Sequence, residues 1–410
     1  MKKLIITGFL LLSCNVFAEI YPVTLEEVTA KVTKDNYFVL ENAQRVYQAK
    51  ESVQLARKNL LPKLNIWNVV ESASNGPLGL IGIVADVAPF LVPNNWFRVG
   101  EEKLFAEATT NGYRALWANE LLTARGLVLQ SGLDERLIEQ VEANAKDLES
   151  ISSMVRSREA MGTIPAGSVK QFEVRQISVA EEIRGLSKVI KENRSQLAYL
   201  LGLPGNSEAI PNPVDYIDPA SAKPLSYSDY EARMTESSFE LKQYDALLKA
   251  ADKEKKGRYF NFLGTSTLSR STGGSVFDGL PQQDGLGFGL GPSVRIVKSQ
   301  KKILEIQREA VRETLKKNLK VLVESFNFDL MSREDALKKV EKTNAIWKLL
   351  ADRVRLGANV PVFDLVEASR TRVEAISTYH SVETRLLLGL DRLNRLTYQD
   401  AYRIAEGPLP

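Results

Sequence analysis

Between residues 169 and 200, side chains recur at alternating steps of three and four: Val169, Phe172, Gln176, Val179, Ile183, Leu186, Ile190, Asn193, Leu197 and Leu200. Eight of these ten are apolar, which predicts a coiled-coil seam rather than the face of an ordinary globular helix. Residues 137–155 repeat the spacing through Leu137, Val141, Asn144, Leu148, Ile151 and Val155. Residues 337–354 do so through Leu337, Val340, Asn344, Trp347, Ala351 and Val354. No proline falls between Asn95 and Met161 or between Val294 and Val360. At about 1.5 Å per residue, each of those stretches predicts a helix on the order of 100 Å long. Helices of that length do not fit inside a compact domain.

The pattern occurs twice. Met161-Gly162-Thr163 and Leu356-Gly357-Ala358 each end a long helical stretch, Pro165 or Pro361 follows, and a second heptad helix begins. Glycine permits the sharp reversal and proline prevents the first helix from continuing, so each stretch reads as a helical hairpin. The two glycines stand 195 residues apart, and the same offset sets Ala56-Arg57 opposite Ala251-Asp252. Residues 203–224 carry five of the sixteen prolines. One unit used twice is expected, spanning 19–203 and 226–410 with a Pro-rich linker at 204–225. The hairpins are expected at about 95–201 and about 297–397.

Each unit also holds a stretch where the period shortens to two. In the first, Leu64 to Val70 is followed by Asn75-Gly76-Pro77 and the apolar segment 79–92. In the second, Tyr259 to Leu263 runs on to a Gly-rich loop and then to residues 286–297. These predict strand pairs at about 63–92 and about 258–297, either ordinary hairpins packed on the helices or pieces of a transmembrane β-barrel. Four strands cannot close a membrane-spanning barrel, for which about eight is the minimum. A barrel reading therefore requires chains to pool their strands.

Composition narrows the chemistry. The 410 residues include one His and one Cys, which leaves almost nothing for a metal cluster, a Ser-His-Asp triad or a Cys-His dyad. No cofactor and no enzymatic activity are expected. Lys+Arg 54 against Asp+Glu 51 gives a net charge of +3, without the basic excess of a nucleic-acid binder. The run Gly287, Gly289, Gly291 lacks the strand–helix setting of a dinucleotide site. The basic runs 253–258, 298–302 and 315–320 read as solvated helix faces, and the first two flank the second strand pair, where they could meet an anionic membrane surface. Trp67 and Trp96 bracket the first strand pair and suit a bilayer interface. Trp117 and Trp347 read as packing, and His380 lies mid-helix.

Residues 1–18 carry Lys2 and Lys3, an apolar core from Leu4 to Leu12, and Val16-Phe17-Ala18, which together read as a secretory signal. Its removal lowers the net charge from +3 to +1. Leu11-Leu12-Ser13-Cys14 loosely resembles a lipoprotein cleavage box, which would place a lipid on Cys14. Cleavage after Ala18 would instead leave no cysteine in the mature chain.

With the signal, the hairpins and the strand pairs in order, the chain resembles the bacterial outer membrane efflux protein family, the TolC-like channel tunnels. The residues that carry the resemblance are TLEEVTAKV and NAQRVYQAKESVQLARKNLLPKL near the start, SQLAYLLGLP at the end of the first unit, and the stretch from Val354 to Leu396 in the second. Each motif is loose, while their order, spacing and duplication are specific and cover nearly the whole mature chain. The resemblance implies a mainly α fold with a small β part, in which long antiparallel coiled-coil hairpins form an α-barrel. Two strand pairs per chain would contribute to a twelve-stranded β-barrel of a homotrimer in the outer membrane lipid of a Gram-negative bacterium. It implies a periplasmic adaptor and an inner-membrane transporter as partners, and export of drugs, metals or proteins. The chain is short for the family, its interstrand loops are small at 72–78 and moderate at 271–285, and Asp86 and Pro89 interrupt an unusually apolar second strand. A lower or less regular barrel is expected. A periplasmic coiled-coil scaffold that forms no channel would share the signal, heptads and hairpins.

The resemblance also points to residues. Asp364 and Glu367 follow the Gly357 hairpin at a spacing that sets both carboxylates on one helix face. The family carries an acidic pair there, near the periplasmic entrance, where it narrows the pore and favours cations. Three copies around an axis would gather these carboxylates into a constriction that binds cations. The first unit has Ser168, Val169, Lys170 and Gln171 in the equivalent region, with Glu173 farther on. The tips Gly162-Thr163 and Gly357-Ala358 resemble those that meet the adaptor's own hairpins, where small residues permit close backbone approach.

Overall fold

The computed structural model describes residues 20–61, 89–212, 222–261, 277, 279–281 and 287–403. Two short strands, β1 (Ile20–Val23) and β2 (Glu208–Pro211), accompany eight helices among the described residues. The first four helices are α1 (Leu25–Asp35), α2 (Tyr37–Lys58), α3 (Pro93–Ala160) and α4 (Ser168–Leu200). The second four are α5 (Tyr227–Ser237), α6 (Phe239–Tyr259), α7 (Leu290–Arg355) and α8 (Val362–Thr397). Their lengths recur in order, 11, 22, 68 and 33 residues and then 11, 21, 66 and 36.

Within each hairpin the helices run antiparallel. Near the first turn Arg156 pairs with Glu173 at 3.1 Å, and far from it Glu135 pairs with Arg194 at 2.6 Å. In the second, Arg372 donates to Asn344 at 2.7 Å, and farther along Asp329 accepts from Arg385 at 2.9 Å. The two hairpins share one seam. Val141, Leu148, Ile151 and Val155 of α3, Phe172 and Val179 of α4, Trp347 and Val354 of α7, and Leu365 and Ile376 of α8 form one apolar cluster. Burying each such side chain contributes about 1.5–3 kcal/mol, which holds helices too long to be stable through local propensity alone.

At its far end each hairpin abuts a helix junction. Gly202, with φ 66°, ends α4 so close to α1 that a Cβ would lie 2.3 Å from the Asp35 carbonyl oxygen. Asn36 caps α2 by accepting from the Val39 N–H at 3.0 Å and donates to the Leu200 carbonyl at 2.9 Å, so α2 continues where α4 stops. The second unit makes the same joint with other residues. Tyr398 takes the left-handed conformation (φ 51°), donates its hydroxyl to Glu240 at 2.9 Å and packs edge-on against Phe239. Arg395 donates to the same carboxylate at 2.6 Å. Alongside the hairpins, α2 packs on α3, α3 on α6, and α6 on α7.

Several expectations need correction. The second strand proposed at 286–297 is helical from Leu290 onward. Its Val294, Ile296 and Val297 have strand propensity, yet Ser293, Val294 and Val297 are buried at helical spacing, and Ser293 accepts from Arg258 of α6 at 2.9 Å. Arg258 and Tyr259 belong to α6, and Pro89–Leu91 form one 3-10 turn before α3. The remainder of both strand pairs, residues 62–88 and most of 262–286, lies outside the described residues, as do the signal segment with Cys14. Inside the stretch read as a linker, β2 pairs in parallel with β1, Ile20 opposite Glu208 and Val23 opposite Pro211. The offset of the tip glycines does not extend to Ala56-Arg57 and Ala251-Asp252, because Lys58 and Tyr259, the ends of α2 and α6, stand farther apart. The run 253–258 is not wholly solvated: Glu254 and Arg258 are buried as an ion pair of 2.7 Å. No described helix is long and apolar enough to cross a membrane.

Candidate functional site

Both hairpins turn in the same way. After α3 the Gly162 N–H donates to the Glu159 carbonyl at 3.0 Å and the Thr163 N–H to the Arg158 carbonyl at 3.0 Å. After α7 the Gly357 N–H donates to the Val354 carbonyl at 3.1 Å and the Ala358 N–H to the Arg353 carbonyl at 2.9 Å. This pair of bonds satisfies helix-end carbonyls and requires a left-handed residue, which is why glycine stands at φ 68° and 90°. A Cβ on either glycine would meet nothing within 4 Å, so both tips are open to approach. Met161 and Leu356, the residues before the glycines, are 68% and 87% exposed.

Side chains bind the two tips together. Arg158, in the last turn of α3, donates to the Val354 carbonyl at 2.9 Å and to the Ala358 carbonyl. A cation on orphan carbonyls at a helix C-terminus is favoured by hydrogen bonding and by the helix dipole. Its neighbour Glu159 closes its own turn, accepting from Val169 N–H at 2.6 Å and Gly167 N–H at 3.0 Å. Those two backbone bonds hold its carboxyl below the ordinary glutamate range. Glu159 thereby serves α4 as a cap that Gly167, without a side chain, cannot provide.

About one helical turn into α8 lie the two acids read from sequence. Asp364 is exposed and Glu367 half-buried, while Val362, Leu365 and Ala368 face the seam, so both carboxylates project away from the core. Asp364 makes no ion pair among the described residues; Glu367 accepts from Arg370 at 3.1 Å. That partner offsets part of the negative charge. In the first unit Glu173 is taken up by Arg156, so no matching acidic face exists there.

Deeper in the seam sits a polar layer across all four hairpin helices. Asn144, fully buried on α3, donates to Ser369 of α8 at 3.1 Å. Arg175 of α4 donates to Ser369 at 3.2 Å and to Glu182 at 3.1 Å. Arg372 of α8 donates to Asn344 of α7 at 2.7 Å and to Asp147 of α3 at 2.6 Å. Polar side chains buried at seam positions fix register, because any shift leaves them unpaired at about 1–3 kcal/mol each. Asn144 and Asn344 break the apolar heptad and signal this layer in the sequence. Arg158, Glu159, Arg175 and Arg372 carry no such signal, since their partners lie on other helices or beyond a turn.

No family model matches the chain, and no curated protein matches its sequence. Solved structures do match it over nearly their whole length. A membrane protein from Pseudomonas aeruginosa superposes with a TM-score of 0.69 at 12% identity, covering 93% of this chain and 92% of that one. The CmeC outer membrane channel of Campylobacter jejuni gives 0.68 at 11% identity over 91% of this chain and 85% of its own. The outer membrane protein VceC of Vibrio cholerae gives 0.66 at 11% identity over 91% and 95%. At such identities the likeness establishes a common fold.

Proposed function

We propose that this chain is the outer membrane exit duct of a tripartite efflux pump or type I secretion system in a Gram-negative bacterium. It conducts drugs, metals or proteins passively from an inner-membrane transporter and a periplasmic adaptor across the outer membrane. The observation that carries this reading is a fold shared over 91% of this chain with the CmeC outer membrane channel. The acids Asp364 and Glu367 form the cation-favouring constriction at the periplasmic entrance. The tips Gly162-Thr163 and Gly357-Ala358 dock the adaptor, a role supported by the open glycines and the exposed Met161 and Leu356.

The duct is a homotrimer closed head to tail, and its two units are a duplication. The packing order α2–α3–α6–α7 leaves one side of α2 and one side of α7 without a helical neighbour among the described residues. Both sides carry exposed apolar side chains, Leu40, Tyr47 and Leu55 on α2 and Ile303, Ile306 and Val321 on α7. The α3–α6 contact joins the units within a chain; its counterpart is α7 against α2 of the next copy. Such a heterologous contact closes into a ring when the rotation fits. Gln243 of α6 lies 3.2 Å from a Cβ placed on Gly112 of α3. Counted from the helix starts, the corresponding residues are Glu41 of α2 and Glu309 of α7. A Glu41→Cys/Glu309→Cys variant in a Cys14→Ser background should cross-link between copies into a closed trimer. Monomers alone, with neither cross-links nor co-purifying oligomer, would refute the assembly.

A further inference from the structure

Charge is sorted at the end of the molecule where α2 and α6 finish and α3 and α7 begin. Among the described residues, three carboxylates there turn inward. Glu101, Glu102 and Glu254 are 1%, 4% and 7% exposed. Arg98 pairs with the first two at 2.9 and 2.6 Å, and Arg258 with the third at 2.7 Å. Asp252 is taken up by Lys301 at 2.8 Å, and the exposed Glu51 stands about two turns back from the end of α2. The remaining bases face outward: Arg57, Lys58, Lys253, Lys256, Arg295 and Lys298 are all exposed and make no ion pair among the described residues.

A second observation lies at the same end, farther out along each helix. Leu61 follows Lys58, Leu91 precedes α3, Trp96 lies in the first turn of α3, Tyr259 closes α6, and Phe288 precedes α7; every one is exposed, Phe288 fully. Trp96 fixes its indole by donating to the Phe90 carbonyl at 2.8 Å and remains exposed. Proceeding inward from the end, the surface therefore runs from apolar and aromatic, to basic, to neutralised acid. That is the order a bilayer interface favours: rings at the glycerol level, with Lys and Arg at the phosphates.

We propose that this end of the helical body is a binding surface for anionic phospholipid headgroups, a basic girdle beneath an apolar collar. The inference rests on the outer membrane reading and adds a headgroup preference to it. The sorting of charge argues for anionic lipid, since among the described residues these six exposed bases without an ion pair outweigh the exposed Glu51.

The test uses the full chain with Trp67→Phe, reconstituted in phosphatidylethanolamine vesicles containing a minor fraction of brominated lipid. Trp117 and Trp347 are buried and supply an unquenched background. Brominated phosphatidylglycerol should quench Trp96 more strongly than brominated phosphatidylethanolamine, and high salt should weaken the preference. A Lys256→Gln/Arg295→Gln/Lys298→Gln variant should lower the relative affinity for phosphatidylglycerol, by up to about a hundredfold if each charge acts at the phosphate plane. The corresponding variant with Lys256→Arg, Arg295→Lys and Lys298→Arg should retain it. Equal quenching by both lipids would overturn the headgroup preference while leaving the membrane reading intact. Failure of the wild type to enter vesicles at all would overturn both.

Discussion

His380 occupies a seam position of α8 at 5% exposure, and neither ring nitrogen has a hydrogen-bond partner among the described residues. Glu383 and Tyr379 face it from its own helix and Arg136 from α3, while Arg333 of α7 bonds the Tyr379 hydroxyl at 3.3 Å. Burial pushes the imidazole pKa down; Glu383 opposes that shift and Arg136 adds to it. A folded-state pKa below the unfolded value near 6.5 means that the folded form disfavours the proton. The seam is therefore stable above about pH 6.5 and loses stability as pH falls through the lower folded value. Asp134 of α3 has the opposite sign. Burial, then the Glu135 charge, raises its carboxyl from 3.8 to about 6, so its ionised form costs stability above that pH and the cost fades as pH falls toward 4. In thermal unfolding across pH, His380→Leu should flatten the loss that sets in as pH falls below about 6.5. Asp134→Asn should stabilise by about 1–2 kcal/mol at pH 8 and not at pH 4, allowing for partial solvent exposure. Unaltered pH profiles in both variants would refute these assignments. The sequence locates both residues but not their burial, which depends on which helix faces them.

Long heptad seams without proline specify the helices themselves, and the glycines at 162 and 357 specify the turns, so hairpin architecture is legible along the chain. Helix ends are less so. Leu290 to Val297 look like a strand because β-branched residues cluster there, and packing against Arg258 decides otherwise. Strands β1 and β2 have four residues each and pair across most of the first unit, too short for any period to show. The contacts binding tip to tip through Arg158 are set by the approach of two helices far apart in sequence. At this scale the tip proposal is testable. Gly357 sits at φ 90° in open space, so any side chain costs about 1–2 kcal/mol of backbone strain and no steric clash within the chain. Gly357→Asn should bear that cost and still bind the adaptor, whereas Gly357→Trp should block binding in a pull-down while the trimer persists. Equal adaptor binding by both variants would count against tip docking.

At the scale of the whole molecule, α3 of 68 residues and α7 of 66 each extend for on the order of 100 Å. Rods of that length, joined at their tips and edged by apolar faces without a helical neighbour among the described residues, suit a wall rather than a pocket. One His and one Cys in 410 residues leave little for bond chemistry, and the proposed duct would work through shape and passage. The acidic step at Asp364 and Glu367 is the local feature expected to act on what passes, and Arg370 beside Glu367 moderates it. The most direct test is single-channel recording of the detergent-purified protein in a planar bilayer. Stable openings are expected, with a cation preference that weakens in an Asp364→Ala/Glu367→Ala variant. A protein that is soluble without detergent and gives no conductance would contradict the duct reading and leave a coiled-coil scaffold in its place.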